Sequence, residues 1–204
     1  MWLLAATAGA AEAEPSGSLP LTLRRRVKQP DGSYSVREEK AVWPAKETAI
    51  VICDMWDQHW CKGATSRVAE VAPRMDHFIT AARERGVLIV HAPSGCLGPY
   101  KDHPARLRAR SAPTAEDLPQ GIGGWAGPLP SEAEHRWPID QSDGGCDDEP
   151  PCRQGSPWRR QIATLTIQDC DAISDSGVEI WNLFAQRGIR NVLLLGVHTN
   201  MCVI

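Results

Sequence analysis

Two short runs constrain this chain more than anything else in it: TAIVICD at 48–54 and VLIVHAPSG at 87–95. Each is β-branched, apolar on successive residues and closed abruptly by a polar group, the pattern of a strand buried on both faces of a parallel sheet. Parallel neighbours need a crossover between them. The intervening VAPRMDHFITAARERG supplies one, with Val71, Met75, Phe78, Ile79 and Ala82 at helical spacing, Pro73 suited to a first helical turn and Gly86 to the stop. This predicts a helix from about 73 to 85.

The unit recurs at the other end. IATLTI at 162–167 reads as a strand, and SGVEIWNLFAQRG as a helix in which Ser176 and Glu179 have capping-box spacing, Val178, Trp181 and Phe184 or Ala185 form the inner face, and Gly188 ends it. NVLLLG at 191–196 reads as the last strand. The predicted fold class is therefore α/β, a three-layer, doubly wound, mostly parallel sheet with helices on both faces, Rossmann-like in outline.

The domain proper is expected over 48–204, interrupted by a long insert at 93–160 whose Pro-, Gly- and charge-rich composition has no period. Loops of that length are normally lids or pocket walls; within it, ARLRARSA has helical character. Residues 14–47 read as an irregular lead-in with one extended piece near Tyr34 to Arg37. Residues 1–13 read as a signal peptide without a basic n-region, ending in Ala11-Glu12-Ala13, or else as an Ala-rich leader. The first reading implies export to a periplasmic or extracellular space, the second a cytoplasmic protein.

Composition narrows the function classes. The 204 residues carry a formal charge of -3 and are 42% apolar, enough for one sizeable core and without the basic stripe that nucleic acid demands. No apolar stretch approaches a bilayer span. The seven cysteines form an odd set with no C-x-x-C pair, which argues against a zinc ribbon and leaves at least one thiol unpaired. In an oxidising compartment Cys146 and Cys152, flanking a short loop, are the natural disulfide candidates. That loop carries Asp140, Asp143, Asp147 and Asp148 without EF-hand spacing, and reads as a solvated acidic loop rather than a cation site. Of eight tryptophans, Trp56, Trp60, Trp125, Trp137 and Trp158 are candidates for a pocket wall; Trp56 stands nearest the first strand end.

Ligands of open parallel sheets sit beyond the carboxyl ends of the strands. Asp54 stands at such an end, and Cys202 lies a few residues past another. Taken singly, a cysteine is most often a small buried apolar residue and a strand-end acid a turn former; at one rim they make a base and a nucleophile. A helix starting near Met201 or Cys202 would lower the thiol pKa with its amide dipoles.

The stretches AIVICDMWDQHW, AARERGVLIVHAPS and NLFAQRGIRNVLLLGVHTNMCV look like those of the isochorismatase-like cysteine hydrolases, a family that includes nicotinamidases and N-carbamoyl amidohydrolases. The resemblance covers 48–92 and 160–204 and leaves the insert without a counterpart. It implies an Asp-Lys-Cys triad, with Asp54 as general base and Cys202 as the nucleophile that forms a thioester. It also implies a non-proline cis peptide at Val197-His198 that aims backbone N–H groups at the oxyanion. The family's lysine is expected near Asp169, yet no lysine follows Lys101; Arg159 and Arg160 are the nearest cations, and Arg160 is the candidate charge stabiliser, although arginine cannot shuttle protons.

The nicotinamidase metal site needs an Asp-x-His at the strand that here ends VHAPSG, where His91 and His103 follow without one, so no metal and no cofactor is expected, and His91 reads as a strand-end hydrogen-bonding residue. The expected partner is a small-molecule substrate, with no nucleic acid and no membrane span; the resemblance leaves a homo-oligomer open. Family members continue past the cysteine with a helix and a strand, which implies a fragment, weakly stable or inactive by itself.

Three functions follow as expectations. The leading one is hydrolysis of a small amide or related C–N substrate through a Cys202 thioester. A non-catalytic ligand-binding protein that has lost the lysine is the alternative from another class, and an isomerase or vinyl-ether hydrolase using Asp54 without covalent chemistry is the third.

Overall fold

The structure, a computed structural model, describes residues 17–124, 142 and 144–203. The leader at 1–13 and the residues Trp125, Trp137, Asp140 and Asp143 lie outside the described residues. The chain divides into two units, 1–44 and 45–204, each taken by itself below.

The first unit corrects the expected irregular lead-in. Strand β1, Ser18–Lys28, pairs antiparallel with β2, Tyr34–Pro44, in a register that sets Ser18 opposite Pro44 and Lys28 opposite Tyr34. A turn closes it: Gly32 N–H donates to Gln29 O at 3.0 Å, Gln29 N–H to Ser33 O at 2.8 Å, and the Asp31 carboxylate accepts from Ser33 N–H at 2.9 Å. The strands escape a periodicity reading because most of their residues are exposed on both faces, so no apolar alternation is required. Cross-strand pairs such as Arg24 with Glu38, 2.6 Å apart, take its place.

In the second unit, β3, Thr48–Cys53, is central and buried up to its last residue. It pairs in parallel with β4, Leu88–Ala92, and on its other side with β6, Asn191–Gly196. A two-residue strand β5, Ala172–Ile173, adds to β4, giving the order β5-β4-β3-β6. The result is an α/β unit, a four-stranded parallel sheet flanked by helices. IATLTI is not a strand. Its amides are drawn elsewhere, Ile162 N–H to Met55 O at 2.7 Å, Leu165 N–H to Ile162 O at 3.1 Å and Thr166 N–H to the Asp76 carboxylate at 2.7 Å, and the chain reaches the sheet five residues later.

Helix α1 spans Lys62–Glu84, starting eleven residues before the expected 73. Cys61 caps it, its sulfur accepting from Ala64 N–H at 3.3 Å, so Pro73 lies inside the helix rather than in its first turn. The buried stripe is Ala64, Val68, Ala72, Met75, Ile79 and Ala82, while Val71 and Phe78 are exposed. Small residues at 64 and 72 carry the stripe where only larger ones announce a face to the eye. Within the insert, α2, Pro104–Arg110, realises the helical character of ARLRARSA. Helix α3, Gly177–Arg187, begins at Ser176, whose hydroxyl accepts from Glu179 N–H at 3.4 Å, and ends at Gly188 with φ 65°. Its inner face is Ile180, Leu183 and Phe184, packed with Ala109 of α2 over Ala49, Val51, Leu88, Val90 and Ala92 of the sheet; Trp181 is only half-buried and Ala185 exposed. On β6, Val192 and Leu194 stay 40% and 50% exposed. No helix among the described residues is long and apolar enough to cross a membrane.

One buried polar network ties the layers together. Asp171, just before β5, takes a fork from Arg83 of α1 at 2.8 and 2.9 Å, while His91 of β4 lies 3.2 Å from the same carboxylate and 2.9 Å from Gln161 Oε1. Burial pushes the Asp171 carboxyl up, but the bonds from His91 and Arg83 outweigh it and leave its pKa lowered. A lowered folded-state pKa adds stability above the unfolded value of about 4 and loses it as pH falls through the folded value. Asp171→Asn strands the Arg83 charge and is expected to cost about 3–5 kcal/mol in urea unfolding at pH 7. Between pH 5 and pH 3 the wild-type protein should lose more stability than the variant; equal losses would contradict the assignment.

Candidate active site

The carboxyl ends of β3, β4 and β6 open into one cavity of about 330 Å³. The β3 end supplies Asp54, followed by Trp56, His59 and Trp60; the β4 end supplies Ser94 and Gly95; the insert supplies Gly144, Gly145 and Trp158; the segment after β6 supplies His198, Met201 and Cys202. The insert is thus a pocket wall in its described part.

Asp54 is 1% exposed and is the one non-glycine residue with positive φ, 50°, among the described residues. That left-handed step, which an aspartate tolerates at a cost of about 1 kcal/mol, turns the chain off the strand. The carboxylate then accepts from Ser94 N–H at 2.9 Å. Across the sheet, Gly196 ends β6 with φ 120°, and a Cβ there would stand 1.9 Å from the Cys53 carbonyl oxygen. Only glycine permits so close an approach. Val197 N–H then bonds that same carbonyl at 3.1 Å, and the chain enters a short π-helical turn, Thr199–Val203, that carries Cys202. The Val197-His198 peptide is cis.

The thiol of Cys202 stands beside the Asp54 carboxylate in the cavity that both line. Its pKa is pushed up to about 12, by burial first, then by the Asp54 carboxylate and its charge, with the His198 backbone N–H pulling slightly the other way. The expectation of a thiolate stabilised by a helix start is therefore corrected: a five-residue turn offers too little dipole to outweigh a buried carboxylate beside it. The Cys202 thiol thus rests protonated beside the Asp54 carboxylate.

Flat rings line the rest. Trp56 stacks on Trp158 with centroids 4.3 Å apart, and His59 lies nearly parallel to both at 5.7 and 5.8 Å. Trp56 N–H is anchored on Ser94 O at 3.2 Å. Nδ1 of His59 accepts from Cys61 N–H at 3.1 Å, which places the neutral ring's proton on Nε2. Burial, then the neighbouring His198 ring, lowers the His59 pKa to about 4, so this imidazole is uncharged at neutral pH.

Among the described residues lining the cavity none is a lysine or arginine. Arg160 is not the expected charge stabiliser: its side chain is 64% exposed and stands 3.9 Å from Asp57. The reason is local. Asp57 gathers the backbone N–H groups of Arg159 and Arg160 at 3.0 and 3.4 Å, and the Arg160 carbonyl accepts from Asp57 N–H at 2.9 Å, which turns the guanidinium outward. His91 does not line the cavity; it belongs to the Asp171 network. The stacked His59, which closes Asp57-Gln58-His59, lies five residues after the strand-end aspartate and was not singled out from the sequence.

The acidic loop is also corrected in part. Cys146 and Cys152 form no disulfide, Asp147 pairs with Arg67 of α1 at 2.8 Å, and Asp148 turns inward to Gly63 N–H at 2.9 Å. The start of α1 competes successfully with solvent for both carboxylates.

The protonated thiol has a direct signature. Iodoacetamide alkylation of Cys202, followed by peptide mass spectrometry, should stay slow through pH 9 and rise only toward pH 12. Asp54→Asn removes the negative charge and leaves the burial, so its alkylation midpoint should fall below that of the wild type. An unchanged or higher midpoint would contradict the placement of the carboxylate beside the thiol.

Compared with models of protein families and with curated protein sequences, the chain matches none.

Proposed function

We propose that the chain is a cysteine hydrolase of the isochorismatase-like type, acting on a small amide or related C–N substrate. One observation carries the reading: a buried carboxylate stands beside a cysteine thiol inside a cavity at the carboxyl ends of a parallel sheet. That is the pairing covalent acyl transfer needs, since a thiol pushed up to about 12 attacks only if its proton leaves in the same step.

The chemistry balances with these two groups. As the Cys202 sulfur bonds to the substrate carbonyl carbon, Asp54 takes the thiol proton. It then returns that proton to the departing nitrogen as the C–N bond breaks, leaving a thioester and a free amine or ammonia. Water attacks the thioester carbon with Asp54 again as base, the S–C bond breaks, and the proton goes back to the sulfur. The His198 N–H at the sulfur is a fixed donor on the reacting side, and the stacked rings of Trp56, His59 and Trp158 offer a flat apolar wall that favours a planar substrate.

The alternative, a ligand-binding protein without turnover, is favoured by one feature: no cation lines the described cavity. A panel of small planar carboxamides, with ammonia release as the readout, separates the two. The hydrolase reading expects turnover by the wild type, none by Cys202→Ala, and a loss of about 10²–10⁴-fold in Asp54→Asn. Turnover retained by Cys202→Ala would sink the covalent route, and saturable carboxamide binding without ammonia would establish the binding protein instead.

A further inference from the structure

Three thiols that this chemistry leaves unused meet at one carboxylate oxygen. Sγ of Cys61 lies 3.2 Å, Sγ of Cys152 3.3 Å and Sγ of Cys146 3.5 Å from Oδ2 of Asp148, which also accepts from Gly63 N–H at 2.9 Å. The Cys61 and Cys146 sulfurs and an Asp148 carboxylate oxygen lie within 4.8 Å of one another. We propose that Cys61, Cys146, Cys152 and Asp148 bind one thiophilic divalent cation, zinc above all, which fastens the insert to the start of α1.

The geometry carries this first. A tetrahedral zinc with Zn–S of about 2.3 Å and Zn–O of about 2.0 Å has S···O edges of about 3.5 Å, close to where all three sulfurs stand from Oδ2. Cys61, Cys146 and Asp148 already lie within ligand spacing of one another, and Cys152, outside that group, would complete the set by turning its side chain toward the ion. As a purely hydrogen-bonded cluster the arrangement is poor, because three weak S–H donors and an amide compete for one oxygen. With thiolates around a cation the competition disappears. The amides then become supports, Gly63 N–H for the carboxylate and Ala64 N–H, 3.3 Å from Cys61 Sγ, for a thiolate.

Donor chemistry selects the ion. Three sulfurs and one oxygen disfavour calcium and magnesium, which take oxygen, and suit zinc. Three thiolates and a carboxylate on a divalent ion leave two negative charges, set at the positive end of the 23-residue α1 and beside Arg67. Close approach is built in as well: a Cβ at Gly63 would stand 2.9 Å from Asp148 Oδ1. The site has no C-x-x-C because Cys61 joins Cys146 and Cys152 from a remote part of the chain.

Such an ion would not touch the substrate. Trp60 packs against the cluster and lines the cavity, and Gly145, next to Cys146, lines it too, so the cation would hold one wall. The inference is independent of the proposed hydrolysis.

The test is cobalt(II) titration of the full chain after reduction and chelation, read by absorption, with zinc content measured by plasma mass spectrometry. One equivalent of cobalt should give thiolate-to-metal charge transfer and the visible bands of a tetrahedral ion, abolished by equimolar zinc. Cys152→Ser should weaken the charge transfer by about a third, one thiolate of three by the expected ligand count. Asp148→Asn should weaken zinc binding at least about tenfold, and the exposed Cys170→Ser should change neither. The wild-type spectrum stands even if a cysteine variant fails to fold. Absence of a stoichiometric thiolate band in the reduced wild type would overturn the proposal, as would a metal-free protein whose unreduced peptides join two of these three cysteines.

Discussion

A carboxylate 1% exposed at the end of the central strand is the constraint from which the rest of the second unit's geometry follows. A charge there is costly unless its oxygens are met by donors. Two groups from opposite neighbours of β3 meet it: the Ser94 amide beyond β4 donates to it, and the Cys202 thiol beyond β6 stands beside it. Parallel pairing delivers both chain exits to the same end of the sheet, and Gly196 lets the β6 exit close on the β3 backbone. Burial and hydrogen bonding of one side chain thus shape the carboxyl end of the sheet around Asp54 and Cys202.

The same placement decides the protonation state. A cysteine poised by a helix start would rest as thiolate; one facing a buried carboxylate rests as thiol. With a neutral His59 and no lysine or arginine along the described wall, negative charge developing in the proposed reaction has backbone amides and ring edges to meet it rather than a side-chain cation. The acyl-transfer proposal therefore asks more of Asp54 than a triad with a lysine would, because one carboxylate handles the proton at every stage.

What was legible in the sequence depended on burial. β3, β4 and β6 stood out because sheet interiors demand unbroken apolar runs, and α3 because Ser176 and Gly188 mark its ends chemically. The hairpin at 18–44 was hidden because neither of its faces is an apolar stripe, and the first three turns of α1 because their buried residues are small. IATLTI has strand composition, yet its amides bond to Met55, Ile162 and Asp76, a tertiary outcome that no local pattern encodes. Asp54 and Cys202 could be singled out, since strand ends locate them. The outward turn of Arg160, the stacked His59 and the gathering of Cys61 with Cys146, Cys152 and Asp148 all depend on where the insert returns.

The central claim is that Cys202 and Asp54 act together as nucleophile and base. The most direct measurement is acid quenching of the protein while it turns over a planar carboxamide, followed by peptide mass mapping of the acylated residue. The account predicts a thioester on the Cys202 peptide that disappears with hydroxylamine and builds up when the hydrolytic step is slowed. Turnover with no acyl group on Cys202, or with the acyl group on another of the seven cysteines, would contradict it.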